Sequence, residues 1–254
     1  MSRALTRSRR RAARRKLHLL HWLRVCMIAL LLPSALGVGV VLFLGGTGLL
    51  GPALASDEVR EVVGAARSVE GERTWCLTLV NGANALPSDY APELTQLPNG
   101  IYVDERIVVP LEELFHAART DGVYPAVQEG YRTGQQQKRV QEAIIDSYRA
   151  RGYATLDAIA AAGRKEALSG HSEHQLGIAL DIGGDGVNSS DAQVHRWLRE
   201  HSWEYGFVLR YPADKTELTG MDYAPEHYRY VGREAASAMQ EQGLCLEEYV
   251  QTVR

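Results

Sequence analysis

Apolar and polar positions divide this chain into an uncharged stretch near its start and a long region of mixed periodicity after it. In the second region Leu111, Leu114, Phe115 and Ala118 share one face of a helix over residues 111–119. Val140, Ile144, Ile145 and Tyr148 do the same for a longer helix over 135–151. A shorter helix over 156–162, an amphipathic one over 192–205 that buries Trp197 and Leu198, and one over 233–242 complete the helical set. Short runs rich in β-branched and aromatic residues predict strands at 75–80, 124–129, 178–182, 207–211 and 228–231. Residues 81–100 carry Gly, Asn and Pro punctuation and read as a long loop. Strands and helices do not alternate regularly. The expected class is therefore α+β, a small, mostly antiparallel sheet flanked by helices.

The first region changes the picture of where the folded part works. Residues 25–50 contain no charged side chain, and residues 1–24 carry nine Arg or Lys and no acid. About 20 apolar residues suffice to cross a bilayer as a helix, and a basic flank keeps its own side cytoplasmic. The expectation is a basic cytoplasmic segment (1–24), a transmembrane anchor (25–50), a linker (51–73) and an external domain (74–254). A rival reading is a secreted protein: Ala53-Leu54-Ala55 is a small-residue pattern for signal cleavage near Ala55, although signal cores are shorter, about 7–15 residues. Beyond residue 24 the chain holds 19 basic against 31 acidic residues. An acidic domain lacks the basic face that nucleic acid requires. Cys26 falls in the apolar stretch. Cys76 and Cys245 fall in the external domain, where a disulfide is permitted, so a bridge between them and two buried thiols both remain open.

The chemistry concentrates in two segments. Ser172-Glu173-His174-Gln175-Leu176-Gly177-Ile178-Ala179-Leu180-Asp181 sets a histidine and an aspartate seven positions apart. Asp181 interrupts an apolar run, where a carboxylate is costly unless a cation or donor meets it. The plainer alternative is that Asp181 ends a strand and caps the turn at Gly183-Gly184-Asp185-Gly186. Downstream, Tyr223-Ala224-Pro225-Glu226-His227-Tyr228 offers a third nitrogen ligand, His227, beside a carboxylate, Glu226. Two His and one Asp match the three protein ligands of a catalytic zinc. The remaining histidines do not form a helical metal pair, and His-Glu-x-x-His is absent. His171 is a candidate for a supporting contact only. The Gly-x-Ser-x-Gly elbow of a serine hydrolase is missing around Ser172.

Together these segments resemble the VanY-type zinc D-alanyl-D-alanine carboxypeptidases. The family pattern Ser-x-His-x-x-Gly-x-Ala-x-Asp is matched at Ser172, His174, Gly177, Ala179 and Asp181. Residues 75–81 and 84–87 are similar to the family's opening strand and loop. Gly130-Tyr131-Arg132-Thr133 with Gln137 is similar to its Gly-Tyr-Arg-Ser and downstream Gln. The resemblance runs over roughly residues 74–250. It implies Zn²⁺ at the sheet on His174, Asp181 and His227, with Arg132, Ser172 and Gln137 holding the substrate. It implies removal of the terminal D-alanine from peptidoglycan stem peptides or precursors. A guanidinium at 132 suits this, because its planar fork matches a carboxylate.

One departure opens the mechanism. The family's catalytic glutamate stands three positions before the last histidine, and here that position is Ala224. Glu226 stands where the family has tryptophan and becomes the candidate general base. Strand alternation would turn Glu226 and His227 to opposite faces and counts against it. Asp222 is the second candidate. Two other functions stay open: an L,D-carboxypeptidase on tetrapeptide stems, and a catalytically inactive zinc domain that binds cell-wall peptide.

Overall fold

The computed structural model describes residues 75–87 and 89–253, which all fall in one compact unit spanning 69–254. The expected basic segment, anchor or signal sequence, and linker therefore all lie outside the described residues. Among the described residues no helix is long and apolar enough to cross a membrane.

Four strands form the main sheet: β3 (Pro125–Glu129), β4 (Ala179–Gly184), β5 (Phe207–Tyr211) and β6 (Ala224–Tyr230), in the order β3-β4-β6-β5. Every neighbouring pair is antiparallel. A two-stranded ribbon, β1 (Leu94–Gln96) with β2 (Tyr102–Asp104), precedes them. The helices are α1 (Val108–Thr120), α2 (Gly134–Ala150), α3 (Thr155–Gly163), α4 (Asp191–His201), a single turn α5 (Thr216–Thr219), α6 (Arg233–Gln242) and α7 (Leu246–Thr252). The expected α+β class with an antiparallel sheet holds.

Period-2 alternation on β4 sends Leu180 and Ile182 to one face and Asp181 to the other. The apolar face joins Leu111, Leu114 and Ala118 of α1 and Val194, Trp197 and Leu198 of α4 in one buried cluster with Phe207 and Tyr228. A second cluster seats α6 and α7: Val208 and Val231 meet Ala235, Ala236, Met239, Leu246 and Val250. The two central strands, β4 and β6, thus have their backbones fixed by packing on one side, which leaves the other side free for polar groups.

Several elements differ from the sequence pattern. Residues 75–80 form no strand. Trp75–Leu77 is a 3-10 turn, and the carbonyls of Cys76 and Thr78 accept from Arg229 Nη2, each at 3.0 Å, so a side chain replaces a ladder partner. The long loop contains β1 and half of its ribbon. On α2 the fully buried side chains are Gln137 and Gln141, while Val140, Ile144, Ile145 and Tyr148 are only half-buried, because the helix packs on α3 and polar groups rather than on the core. On α3 it is Ala158 and Ala162 that are buried; Leu156 is 80% exposed. Asp181 lies within β4 and does not cap the following turn, where Asp185 takes the backbone N–H groups of Val187, Asn188 and Ser189. Cys76 and Cys245 are separate buried thiols, not a bridge.

Candidate metal centre

His174 belongs to a 3-10 turn, Glu173–Leu176, that ends at Gly177 with φ +74°. Only glycine adopts that backbone cheaply, and a Cβ there would also meet the Asp104 amide nitrogen at 3.1 Å. The turn leads directly into β4, which carries Asp181. On β6, His227 is the register partner of Asp181. Three groups distant in sequence therefore converge at the centre of the sheet. One ligand atom from each of His174, Asp181 and His227 lies within 4.8 Å of the other two.

Hydrogen bonding decides which ring nitrogens face the centre. His174 Nδ1 lies 2.8 Å from the Gly130 carbonyl, to which it donates, so Nε2 keeps its lone pair and stands 3.5 Å from Asp181 Oδ2. His227 Nδ1 lies 2.8 Å from Asp181 Oδ1, and its Nε2 faces Glu173 Oε2 at 3.9 Å. His227 Nε2 and Glu173 Oε2 are both buried, and neither has a hydrogen-bond partner. A metal-binding histidine normally gives its second N–H to a carbonyl or carboxylate. Gly130 is such an acceptor for His174, and the Glu173 carboxylate is the group that faces the second nitrogen of His227, at 3.9 Å.

The electrostatics favour a cation. Burial disfavours a charged imidazole at His227, yet Asp181 and Glu173 on either side push its pKa up to about 9. Burial would raise the Asp181 carboxyl, but hydrogen bonds to His174 and His227 hold it far below the usual carboxylate range. A nitrogen–nitrogen–oxygen donor set of this type suits zinc, and metal binding displaces the proton that such a site otherwise holds. The donor set fits the ion.

Glu173 is itself 1% exposed. Burial would raise its carboxyl, but Arg210 and Arg229 keep it well below the usual range. Its Oε1 accepts from Arg210 Nε at 2.8 Å and stands 3.0 Å from Arg229 Nη1. Arg210 then reaches Glu247 on α7 through two bonds, 2.9 and 2.6 Å. Tyr211 stacks on the His227 ring at 4.9 Å between centroids. None of Glu173, Arg210, Arg229 and Glu247 stands out in the sequence. Glu173 occupies the unspecified position between the motif serine and histidine, and no local pattern marks the others.

The cleft above the three ligands is lined by Arg164, Lys165, Glu166, Ser172, Tyr211, Met221, Asp222, Ala224 and Glu226. Ser172 borders this cleft. Glu226 and His227 border the same cleft although they are adjacent on a strand. The register explains this: Leu209 pairs with Tyr228 and Tyr211 with Ala224, so two residues of β5 span four of β6 and strict alternation is lost between them. Asp222 accepts from Arg164 Nε at 2.9 Å and stands 3.1 Å from Lys165 Nζ; despite partial burial, these cations lower its pKa.

Arg132 is buried behind Asp181, with Nη2 3.7 Å from Asp181 Oδ2. Its remaining donors go to Glu129, Gln137 and Glu166 at 3.3, 3.3 and 3.0 Å. Gln137 is fully buried, and its Nε2 donates to Glu166 and to the Ala167 carbonyl. Glu166, which both side chains share, is a member of this group that the sequence reading does not single out. His171 bonds the Asn81 carbonyl and His195 the Ile182 carbonyl, so both serve backbone groups away from the ligand set.

Comparison with known proteins gives a consistent result. The family model VanY, D-alanyl-D-alanine carboxypeptidase, matches residues 100–233. A D-alanyl-D-alanine carboxypeptidase of Enterococcus faecalis is 47% identical over 202 residues, 80% of this chain and 75% of that protein. Among solved structures, VanYB in complex with D-alanine-D-alanine superposes with a TM-score of 0.70 at 50% identity, covering 71% of this chain and 99% of that one. A variant of a vancomycin-resistance D,D-pentapeptidase VanY in complex with Zn(II) gives 0.68 at 52% identity, over 69% and 99% of the two chains.

Proposed function

The chain belongs to the VanY family of D-alanyl-D-alanine carboxypeptidases, and on that footing we propose how its own residues carry the reaction. It is a zinc-dependent hydrolase that removes the terminal D-alanine from peptidoglycan stem peptides or their precursors. His174 through Nε2, Asp181 through a carboxylate oxygen and His227 through Nδ1 hold the ion. When bound, zinc supplies Lewis acidity, polarising the scissile carbonyl and making water nucleophilic at neutral pH.

Glu226 is the general base in this proposal. It takes the proton of the attacking water and returns it to the departing D-alanine amine as the C–N bond breaks. The observation that carries the assignment is the irregular pairing of β5 with β6, which supports Glu226 and His227 opening onto one cleft. Asp222 is the weaker candidate, because two cations already claim its oxygens. Ser172 borders the cleft and contacts the substrate. Arg132 stands behind Asp181 with its donors on Glu129, Gln137 and Glu166, so for it to meet a substrate carboxylate one of these ion pairs has to open. Gln137 fixes Arg132 and Glu166 from behind, so its part in substrate binding is support.

The acidic domain works outside the membrane, tethered by the apolar residues 25–50; the basic flank of that stretch supports this orientation. The activity is tested by release of D-alanine from a pentapeptide stem ending in D-alanyl-D-alanine, with and without a chelator. Release that the chelator abolishes is expected. Cleavage of the tetrapeptide stem alone would favour an L,D-carboxypeptidase. No cleavage of either stem by the zinc-loaded protein would favour a peptide-binding domain.

A further inference from the structure

We propose that Glu247, on the last helix, is a positioning residue for the metal site, acting through Arg210 and Glu173 on the ring of His227. The inference rests on the metal ligation proposed above and extends it to a part of the chain far from the cleft.

For His227 to offer Nδ1 to the ion, its proton must sit on Nε2, and the acceptor that faces Nε2 is Glu173 Oε2. The ring is therefore only as well oriented as Glu173. That carboxylate is wholly buried, and its other oxygen is held by Arg210 and Arg229. The two arginines differ in what holds them. Arg229 is tied to backbone, with Nη2 donating to the Cys76 and Thr78 carbonyls and Nε to that of Tyr230. Arg210 is tied to a side chain. Its two terminal nitrogens both donate to Glu247, a bidentate pair of the strong type.

Charge makes the link directional. Two buried guanidinium groups face two buried carboxylates, so the set is neutral as it stands. Without Glu247, Arg210 keeps its charge but loses its counter-ion. The buried anion left beside it is Glu173, and a guanidinium can take both oxygens of one carboxylate. Oε2 would then turn from His227 toward Arg210, and the ring would lose the acceptor that fixes its tautomer. Glu247 is also anchored on its far side by Asn81 Nδ2, at 3.1 Å, and the carbonyl of Asn81 pairs with His171 Nδ1 at 2.8 Å. The helix is thus connected to the loop that precedes Ser172 as well as to the ligand itself.

Partners of metal-ligating histidines typically contribute 10–100-fold in metal affinity. Glu247 acts one residue further out, so Glu247→Ala is expected to weaken zinc binding by about tenfold. Zinc competition against a chromogenic chelator reads this without substrate or turnover. Glu247→Gln, of the same shape, keeps an acceptor but not the charge, and is expected to fall between wild type and Glu247→Ala. The control is Glu248→Gln on the same helix, where Glu248 bonds Lys215 and the Cys245 amide instead. It is expected to lower the melting temperature slightly and leave zinc affinity unchanged. The nitrogen NMR signals of His227 in the zinc-loaded protein give a second readout: a single Nε2–H tautomer in wild type, and exchange broadening or a mixture in Glu247→Gln. If both Glu247 variants bind zinc as tightly as wild type with an unchanged His227 spectrum, Glu247 is merely structural and the inference is overturned. Wild-type protein that binds no zinc would instead overturn the ligation on which it rests.

Discussion

Replacing Glu226 by Gln separates the proposed general base from its neighbours. The amide has nearly the same shape but does not accept the proton. Glu226 is half-buried at the cleft and is not one of the three clustered ligands. The change should therefore leave fold and metal in place, with a stability effect within about 0.5 kcal/mol. The effect on chemistry should be large. General-base catalysis contributes about 10²–10⁴-fold, and each decade is about 1.36 kcal/mol, so the barrier should rise by roughly 2.7–5.4 kcal/mol. The fall should appear in kcat, since the group acts in the transition state. The assay is D-alanine release from a D-alanyl-D-alanine-ended stem, with zinc content measured on the same sample. Asp222→Asn serves as comparison: with Arg164 and Lys165 on its carboxylate, Asp222 should matter by less than about tenfold in the same assay. A Glu226→Gln enzyme with full zinc and a kcat within about threefold of wild type would refute the assignment. Ala224→Glu tests the cleft from the other direction, since Ala224 also lines it; recovery of activity in the Glu226→Gln background would show that either position can serve the same water.

Three further outcomes are expected. His174→Ala should purify without stoichiometric zinc, as measured by metal analysis, and full retention would remove His174 from the ligand set. Gly177→Ala forces a side chain onto a φ of +74° with its Cβ 3.1 Å from the Asp104 amide; the left-handed conformation costs about 1–2 kcal/mol, and a thermal melt should fall by about 2–4 °C for each kcal/mol. Protease added to intact cells should digest the domain beyond residue 74, whereas complete protection would contradict the proposed topology; a mature protein beginning at Ser56 would identify a cleaved signal sequence instead.

The candidate ligands His174 and Asp181 were legible because their chemistry is local. A carboxylate in the apolar run around Asp181, a histidine seven positions before it and Gly177 between them constrain one strand and the turn before it. Helices α1, α4 and α6 were legible for a similar reason, since an apolar face at helical spacing needs no distant partner to be recognised. Elements stabilised from elsewhere were not. Residues 75–80 have strand composition, yet their carbonyls are taken by Arg229, which no local pattern reveals. α7 was missed because seven residues with only Leu246 and Val250 as apolar anchors carry too little periodicity.

Within the site, sequence singled out the three groups that the fold brings within 4.8 Å of one another, and tertiary structure decided what surrounds them. Strand alternation argued against Glu226, and the uneven pairing of β5 and β6 reversed that argument. Register depends on how two strands pack, which one strand's residues do not encode. Arg132 was readable as a carboxylate fork but not as the shared partner of Glu129, Glu166 and Asp181. Glu173, Arg210, Arg229 and Glu247 show the limit most clearly. No local pattern along the chain marks any of them as buried. Burial is tolerable for them only together, because each charge is compensated by others from a separate turn, strand or helix, and that compensation exists only once the sheet has brought them together.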